Sequence, residues 1–130
     1  MDTSTVALEM YARADLWQFQ GNLDTALFQL YQLIGSFPEH LSLLDDAHYL
    51  KAKIYKKQQK WDKAIEELLE VLKHDDLLTD EALLDLAKIY QEIKKDDASA
   101  LKYYERIVLD HPGSVYTVEA RKHYRKLRGN

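Results

Sequence analysis

The sequence predicts an all-α fold of about seven helices, and three observations carry that prediction. Four Gly and two Pro in 130 residues leave long stretches with nothing to interrupt a helix. Apolar residues recur at the spacing of one helix face, and no alternating strand pattern competes with it. The same small and large residues also return at a nearly fixed period, so one helical hairpin is written three times.

The hairpins follow in order. A first helix over about 5–19 carries Ala14 and, one turn later, Trp17; the polar turn "QGN" leads to a second helix over about 22–35 with Ala26 near its start. The next pair, about 42–58 and 60–74, repeats this with Ala52, Tyr55 and Ala64, the last within "QKWDKA". A third pair, about 79–94 and 97–110, carries Ala87, Tyr90 and Ala100. The second-helix alanines are 38 and 36 residues apart. Each second helix continues with a stripe in the same register: Ala26, Leu30, Leu33 and Ile34; Ala64, Leu68, Val71 and Leu72; Ala100, Tyr104, Ile107 and Val108. Two helices approach closely only over small side chains, so alanine at each crossing has a packing cause, and the aromatic one turn on fills the space where the helices diverge.

Pro38 and Pro112 stand where the first and third of these second helices must stop, and Asp76 occupies that place in the middle copy. Ser42 with Asp45 reads as a capping box, and Thr79, Asp97 and Ser114 read as N-caps of later helices. Four extra residues near Leu41 to Leu44 separate the first two hairpins, and one extra residue in "KKDDAS" falls at the turn of the third, both between helices or at their tips. The seventh helix, about 114–128, presents Tyr116, Ala120, Tyr124 and Leu127 as a packing stripe flanked by Arg121, Lys122, Arg125, Lys126 and Arg128. It reads as a cap with snorkelling cations.

Composition narrows the functions. The chain carries a formal net charge of −4, with 46% hydrophobic residues and no Cys, so disulfides, thiolate metal sites and cysteine nucleophiles are excluded together. Between Glu119 and Asn130 five Lys or Arg stand against one acid, leaving 13 basic and 21 acidic residues, a net of −8, for the rest. General polyanion binding is not expected, no nucleic-acid partner is expected, and no apolar run is long enough for membrane insertion. The start MDTSTVALEM lacks the basic head and apolar core of a secretion signal, which predicts a cytoplasmic protein if Met1 is the native start and a periplasmic one if the chain is excised from a longer exported protein.

No catalytic, metal-binding or cofactor-binding constellation is expected. The histidines at 40, 48, 74, 111 and 123 show no metal-ligand spacing, three of them (40, 74 and 111) fall in or at the edge of predicted connections, and they read as exposed loop residues. Glu66, Glu67 and Glu70 lie off the stripe of the fourth helix and read as a solvated face, while the glycines are scattered and form no phosphate loop.

The recurring small and aromatic positions, the turn pairs Gly21 with Leu23 and Gln59 with Trp61, and the closing Pro38 and Pro112 resemble the tetratricopeptide repeat. That resemblance covers about residues 7–114 and implies a single domain over 1–130, with repeats at about 7–40, 45–78 and 80–114 and a capping helix at about 114–128. It implies a right-handed superhelix, an α-solenoid, acting as a non-catalytic scaffold for a protein or peptide partner, with homo-oligomerisation open at either end. The ending "DHPGSVYTVEARKHYRKLRG" is similar to repeats of bacterial cell-envelope scaffolds, such as the lipoprotein of the β-barrel assembly machinery and the Tol-Pal coordinator. On that reading the chain is a structural segment of a longer envelope-assembly protein; a nucleic-acid adaptor acting through the basic last helix comes after it.

In such arrays the first helices line a concave groove. The resemblance therefore places Tyr11, Asp15 and Gln18, then Tyr49, Lys53 and Lys56, then Leu84, Lys88 and Gln91 along a groove suited to capturing a peptide or a helix. The subclass that grips a C-terminal carboxylate uses an asparagine where this chain has Asp15, whose charge would repel that ligand.

Overall fold

A computed structural model describes residues 3–129; Met1, on which the native-start reading turns, lies outside them with Asp2 and Asn130. The described residues form seven α-helices and no strand: α1 (Thr3–Phe19), α2 (Leu23–Ser36), α3 (Leu41–Lys57), α4 (Trp61–Val71), α5 (Thr79–Lys88), α6 (Asp97–Asp110) and α7 (Thr117–Arg128). A π-helical turn, Ile89–Ile93, continues α5. The chain divides into two compact units: residues 1–71 hold α1 to α4, and residues 72–130 hold α5 to α7.

The repeated stripe is the core of both units. Ala26, Leu30 and Leu33, then Ala64, Leu68 and Val71, then Ala100, Tyr104 and Ile107 are all 0% exposed. Their first-helix counterparts Ala14, Ala52 and Ala87 are sealed as well. In unit 1, Ala47, Leu50 and Ile54 of α3 pack on Ala14, Ala26, Leu30 and Leu33 of the preceding hairpin. In unit 2, Ala120 of α7 joins Leu83, Leu84, Ala87, Ala100, Tyr104 and Ile107, with Tyr124 and Leu127 packed against them, so the last helix seals this core as its apolar stripe predicts.

The three hairpin turns share one closure. The N–H of Asn22 donates to the carbonyl of Trp17 at 2.8 Å, Lys60 to Tyr55 at 2.9 Å, and Asp96 to Tyr90 at 2.8 Å. The aromatic residue of each repeat therefore supplies the backbone acceptor that ends its helix as well as packing volume. Just before each of these donors stands a residue in the left-handed region: Gly21 (φ 86°), Gln59 (φ 58°) and Lys95 (φ 55°). Only glycine occupies that region freely, so Gln59→Gly and Lys95→Gly are each expected to raise stability by about 0.5–1 kcal/mol in urea denaturation. Gly21→Ala should lower it by about 1 kcal/mol through backbone strain alone, since a Cβ there meets nothing within 4 Å.

Several local expectations need correction. The extra residue of the third hairpin is not at its turn: the aromatic-to-donor span is one residue longer there, and the π turn Ile89–Ile93 absorbs it inside the helix. The residues from Leu41 to Leu44 sit at a helix tip, one of the two places expected for them. They form the first turn of α3, where Leu43 and Leu44 pack on the unit 1 core. His40 rather than Ser42 is the N-cap of α3, and no side chain caps it.

At α6 the cap is Asp96, one residue before the expected Asp97; its carboxylate accepts from the Ser99 N–H at 3.1 Å and from the Ser99 hydroxyl at 2.7 Å. Those hydrogen bonds hold the half-buried Asp96 carboxyl below its ordinary pKa. Helix α7 begins at Thr117, because the Ser114 hydroxyl accepts from the Tyr116 N–H and holds a turn instead of capping a helix. Thr79 is the first residue of α5, not its cap, and its use matches that of Thr117. Both threonines are buried, and both hydroxyls donate to a histidine carbonyl before the helix, Thr79 to His74 at 3.2 Å and Thr117 to His111 at 3.0 Å.

Candidate functional site

Six of the nine predicted groove residues lie on α1 and α3 of unit 1, two helices that touch one another. Tyr11 packs its ring against the unit 1 core. Burial, with Asp46 and Asp15 adding to it, pushes its hydroxyl up to about 12, so it remains a neutral donor across the physiological range. Asp15 accepts from Gln18 Nε2 at 2.9 Å, and the Gln18 carbonyl oxygen accepts from Lys57 Nζ, which ties α1 to α3 across the surface. Lys57 has a part in this face that repeat spacing did not reveal. On α3 the Lys53 ammonium stands 5.2 Å from the centre of the Tyr49 ring, and Lys56 is half-buried beside them in sequence. The face thus offers two rings, one exposed carboxylate and exposed ammonium groups.

In unit 2 one predicted groove residue is buried and the other two have partners within the unit. Leu84 is 6% exposed and belongs to the core cluster with Ala87 and Ala120, so it cannot serve as a groove contact. Lys88 Nζ pairs with Glu119 of α7 at 2.8 Å. The Gln91 carbonyl oxygen accepts from the Tyr104 hydroxyl at 2.7 Å. Two physical causes account for this. Helix α7, packed on α6, brings Glu119 to Lys88, and the π turn takes Gln91 out of the register that its counterparts Gln18 and Lys56 keep.

One polar cluster escaped the sequence reading. Glu67 of α4, far from a solvated face, is 12% exposed at its side chain and bridges two groups of α3: His48 Nδ1 at 2.7 Å and Lys51 Nζ at 3.0 Å. Burial alone would raise the Glu67 carboxyl, but the hydrogen bond from His48 and the Lys51 ammonium outweigh it and bring the pKa below the usual value. His48 and Lys51 also border a cavity of about 670 Å³ whose other walls include Met10 of α1 and Tyr31, Ile34 and Gly35 of α2.

The exposed-loop reading fails for other histidines too. His111 meets Asp80 at 3.0 Å, and His123, on α7, stacks on Tyr104 with ring centres 5.0 Å apart. Among the described residues no group of three His, Asp or Glu is arranged to hold a metal ion. None of these helices is long and apolar enough to cross a membrane.

Helical hairpins with a shared alanine crossing, a shared turn closure and a polar first-helix face define a helical-repeat protein. Residues 46–75 and 81–114 match the family model of the tetratricopeptide repeat, so the second and third hairpins carry that repeat and the first follows the same register. Repeats of this kind generally mediate protein–protein contacts and are typically non-catalytic scaffolds. The match is to the repeat itself and does not support the cell-envelope kind in particular. No curated protein matches the chain.

Proposed function

We propose that the chain is a non-catalytic interaction scaffold, residues 1–130 acting as one domain, whose α1–α3 face captures a peptide or helix of a partner protein. The observation that carries this reading is the pairing of Tyr11, Asp15 and Gln18 with Tyr49 and Lys53 on two first helices in contact, rings beside charges. Rings of this kind contribute contact area at little conformational cost, and the flanking charges set orientation. Pull-down from the source organism should recover partners with the intact chain, and Tyr49→Ala with Lys53→Glu should deplete the same partners by about tenfold. Lys53 is exposed and Tyr49 half-buried, so circular dichroism of the double variant should match the parent. Equal recovery by both proteins would remove the face from consideration.

A second reading, a structural segment of a longer protein, is favoured by the outer side of α1. Ala12 and Leu16 occupy the register of Leu50 and Ile54, which α3 buries against the hairpin before it, and both are exposed together with Leu8 and Phe19. That is the position of a preceding hairpin in a longer array. The genomic reading frame tests it: sequence encoding another small-residue hairpin upstream of Met1 supports the segment, and its absence supports the free scaffold. The envelope-assembly version of this reading rests on the resemblance of the C-terminal stretch alone.

A further inference from the structure

The outer face of α7 has no part in sealing unit 2. Val118, Arg121, Lys122, Arg125 and Lys126 follow one another at helical spacing along this face, all exposed, and together border a shallow concavity of about 510 Å³. Among the described residues no acidic side chain pairs with any of the four cations. Glu119, the one acid of the helix, is engaged by Lys88, and Arg128 is engaged by Tyr124, donating to its hydroxyl at 3.1 Å. The sealing contacts use Thr117, Ala120, Tyr124 and Leu127 and need nothing from the row of cations. Like charges at these spacings repel by a few tenths of a kcal/mol per pair, a cost that an opposite surface removes.

We propose that this face docks an acidic amphipathic helix of a partner protein, a surface separate from the α1–α3 face. The charge row gives the sign of the occupant and its spacing gives the form, since carboxylates three and four residues apart on a helix meet cations in the same arrangement. Val118, 77% exposed at the head of the row, and Val115, 87% exposed just before α7, distinguish an acidic helix from other anions. A phosphate backbone offers a valine nothing, and no aromatic side chain stands on this outer face as a platform for bases. A lipid surface calls for a broad apolar face, which two valines do not form.

Fluorescence anisotropy with the whole chain tests the proposal. The probe is a labelled helical peptide of about four turns with glutamates on one face and a leucine at its centre. A scrambled peptide of equal composition, a DNA duplex and phosphatidylserine vesicles serve as comparisons. The patterned peptide is expected to bind saturably and to weaken between about 50 and 200 mM salt. Arg121→Glu with Arg125→Glu should reduce its affinity about tenfold or more, and Val118→Asp should reduce it about threefold. Both substitutions are at exposed positions, so the melting curves should not move. Tyr49→Ala with Lys53→Glu should leave this binding intact, which separates the proposal from the α1–α3 reading. Failure of the patterned peptide to bind, equal binding of the scrambled one, or tighter binding of duplex or vesicles would each overturn it.

Discussion

Tyr104→Ala is expected to cost unit 2 about 3–5 kcal/mol, the range for removing a sealed aromatic side chain. Tyr104 is 0% exposed and stands between Ala100 and Ile107 in a core that also holds Leu83, Ala87 and Ala120. His123 stacks on one face of the ring at an interplanar angle of 6°, and the hydroxyl donates to Gln91. Burial, then Glu92 and Glu119, raise the hydroxyl above the usual tyrosine value, so it keeps its proton and continues to donate. Tyr104→Phe keeps the ring and removes only this bond, at a cost of about 1–2 kcal/mol. Urea denaturation of the two variants separates volume from hydrogen bonding; equal losses would show that the Gln91 contact, and not the ring, holds this core.

Glu67→Ala is the second large effect, because it leaves the Lys51 and His48 side chains largely buried without their shared acceptor. Removing one partner of a fully buried pair costs about 3–5 kcal/mol. The residual exposure of this cluster lowers the expectation to about 2–3 kcal/mol. The pH dependence has a definite direction. The Glu67 carboxyl titrates lower in the folded protein than in the unfolded chain, so its contribution is complete above its unfolded value of about 4.3 and is lost as pH falls through the folded value. The difference in stability between the parent and Glu67→Ala should therefore be level through neutral pH and narrow below about pH 4. A difference that instead grew on acidification would contradict the assignment.

Much of the fold was legible because its constraint is local and periodic. An alanine at a helix crossing must be small whatever the rest of the chain does, and the residues four and seven later must face the same neighbour. Ala64, Leu68 and Val71 could therefore be placed in the core from spacing alone, and all are sealed. Helix ends were less legible, since competing hydrogen bonds of similar strength decide them: Ser114 was read as a cap for α7, but its hydroxyl holds a turn and the helix starts at Thr117.

The site was legible only where it depends on one helix at a time. Tyr49 and Lys53 sit one turn apart, and their contact follows from that spacing. Glu67 lies three residues after Ala64, off the stripe, and only the packing of α4 on α3 turns it toward His48 and Lys51. The partners of Lys88 and Gln91 were hidden for the same reason, Glu119 and Tyr104 being on other helices. The position of the extra residue was hidden as well, because counting from Ala87 to Ala100 reveals an excess without locating it.

That excess makes the π turn a frozen insertion. Seven residues separate Ala14 from Gly21 and Ala52 from Gln59, but eight separate Ala87 from Lys95. The helix stored the additional residue as a wider turn, leaving the alanine crossing and the left-handed closure undisturbed. The third hairpin thus holds one more residue than the other two around the same alanine crossing, and its Gln91 accepts from Tyr104. A chain one residue shorter between Ala87 and Lys95 should keep the crossing, remove the π turn and return the side chain at the Gln91 position to the helix register that Gln18 and Lys56 hold in their own hairpins. Chain length at this turn, more than residue identity, then sets how many polar groups the first helix of the hairpin presents to solvent.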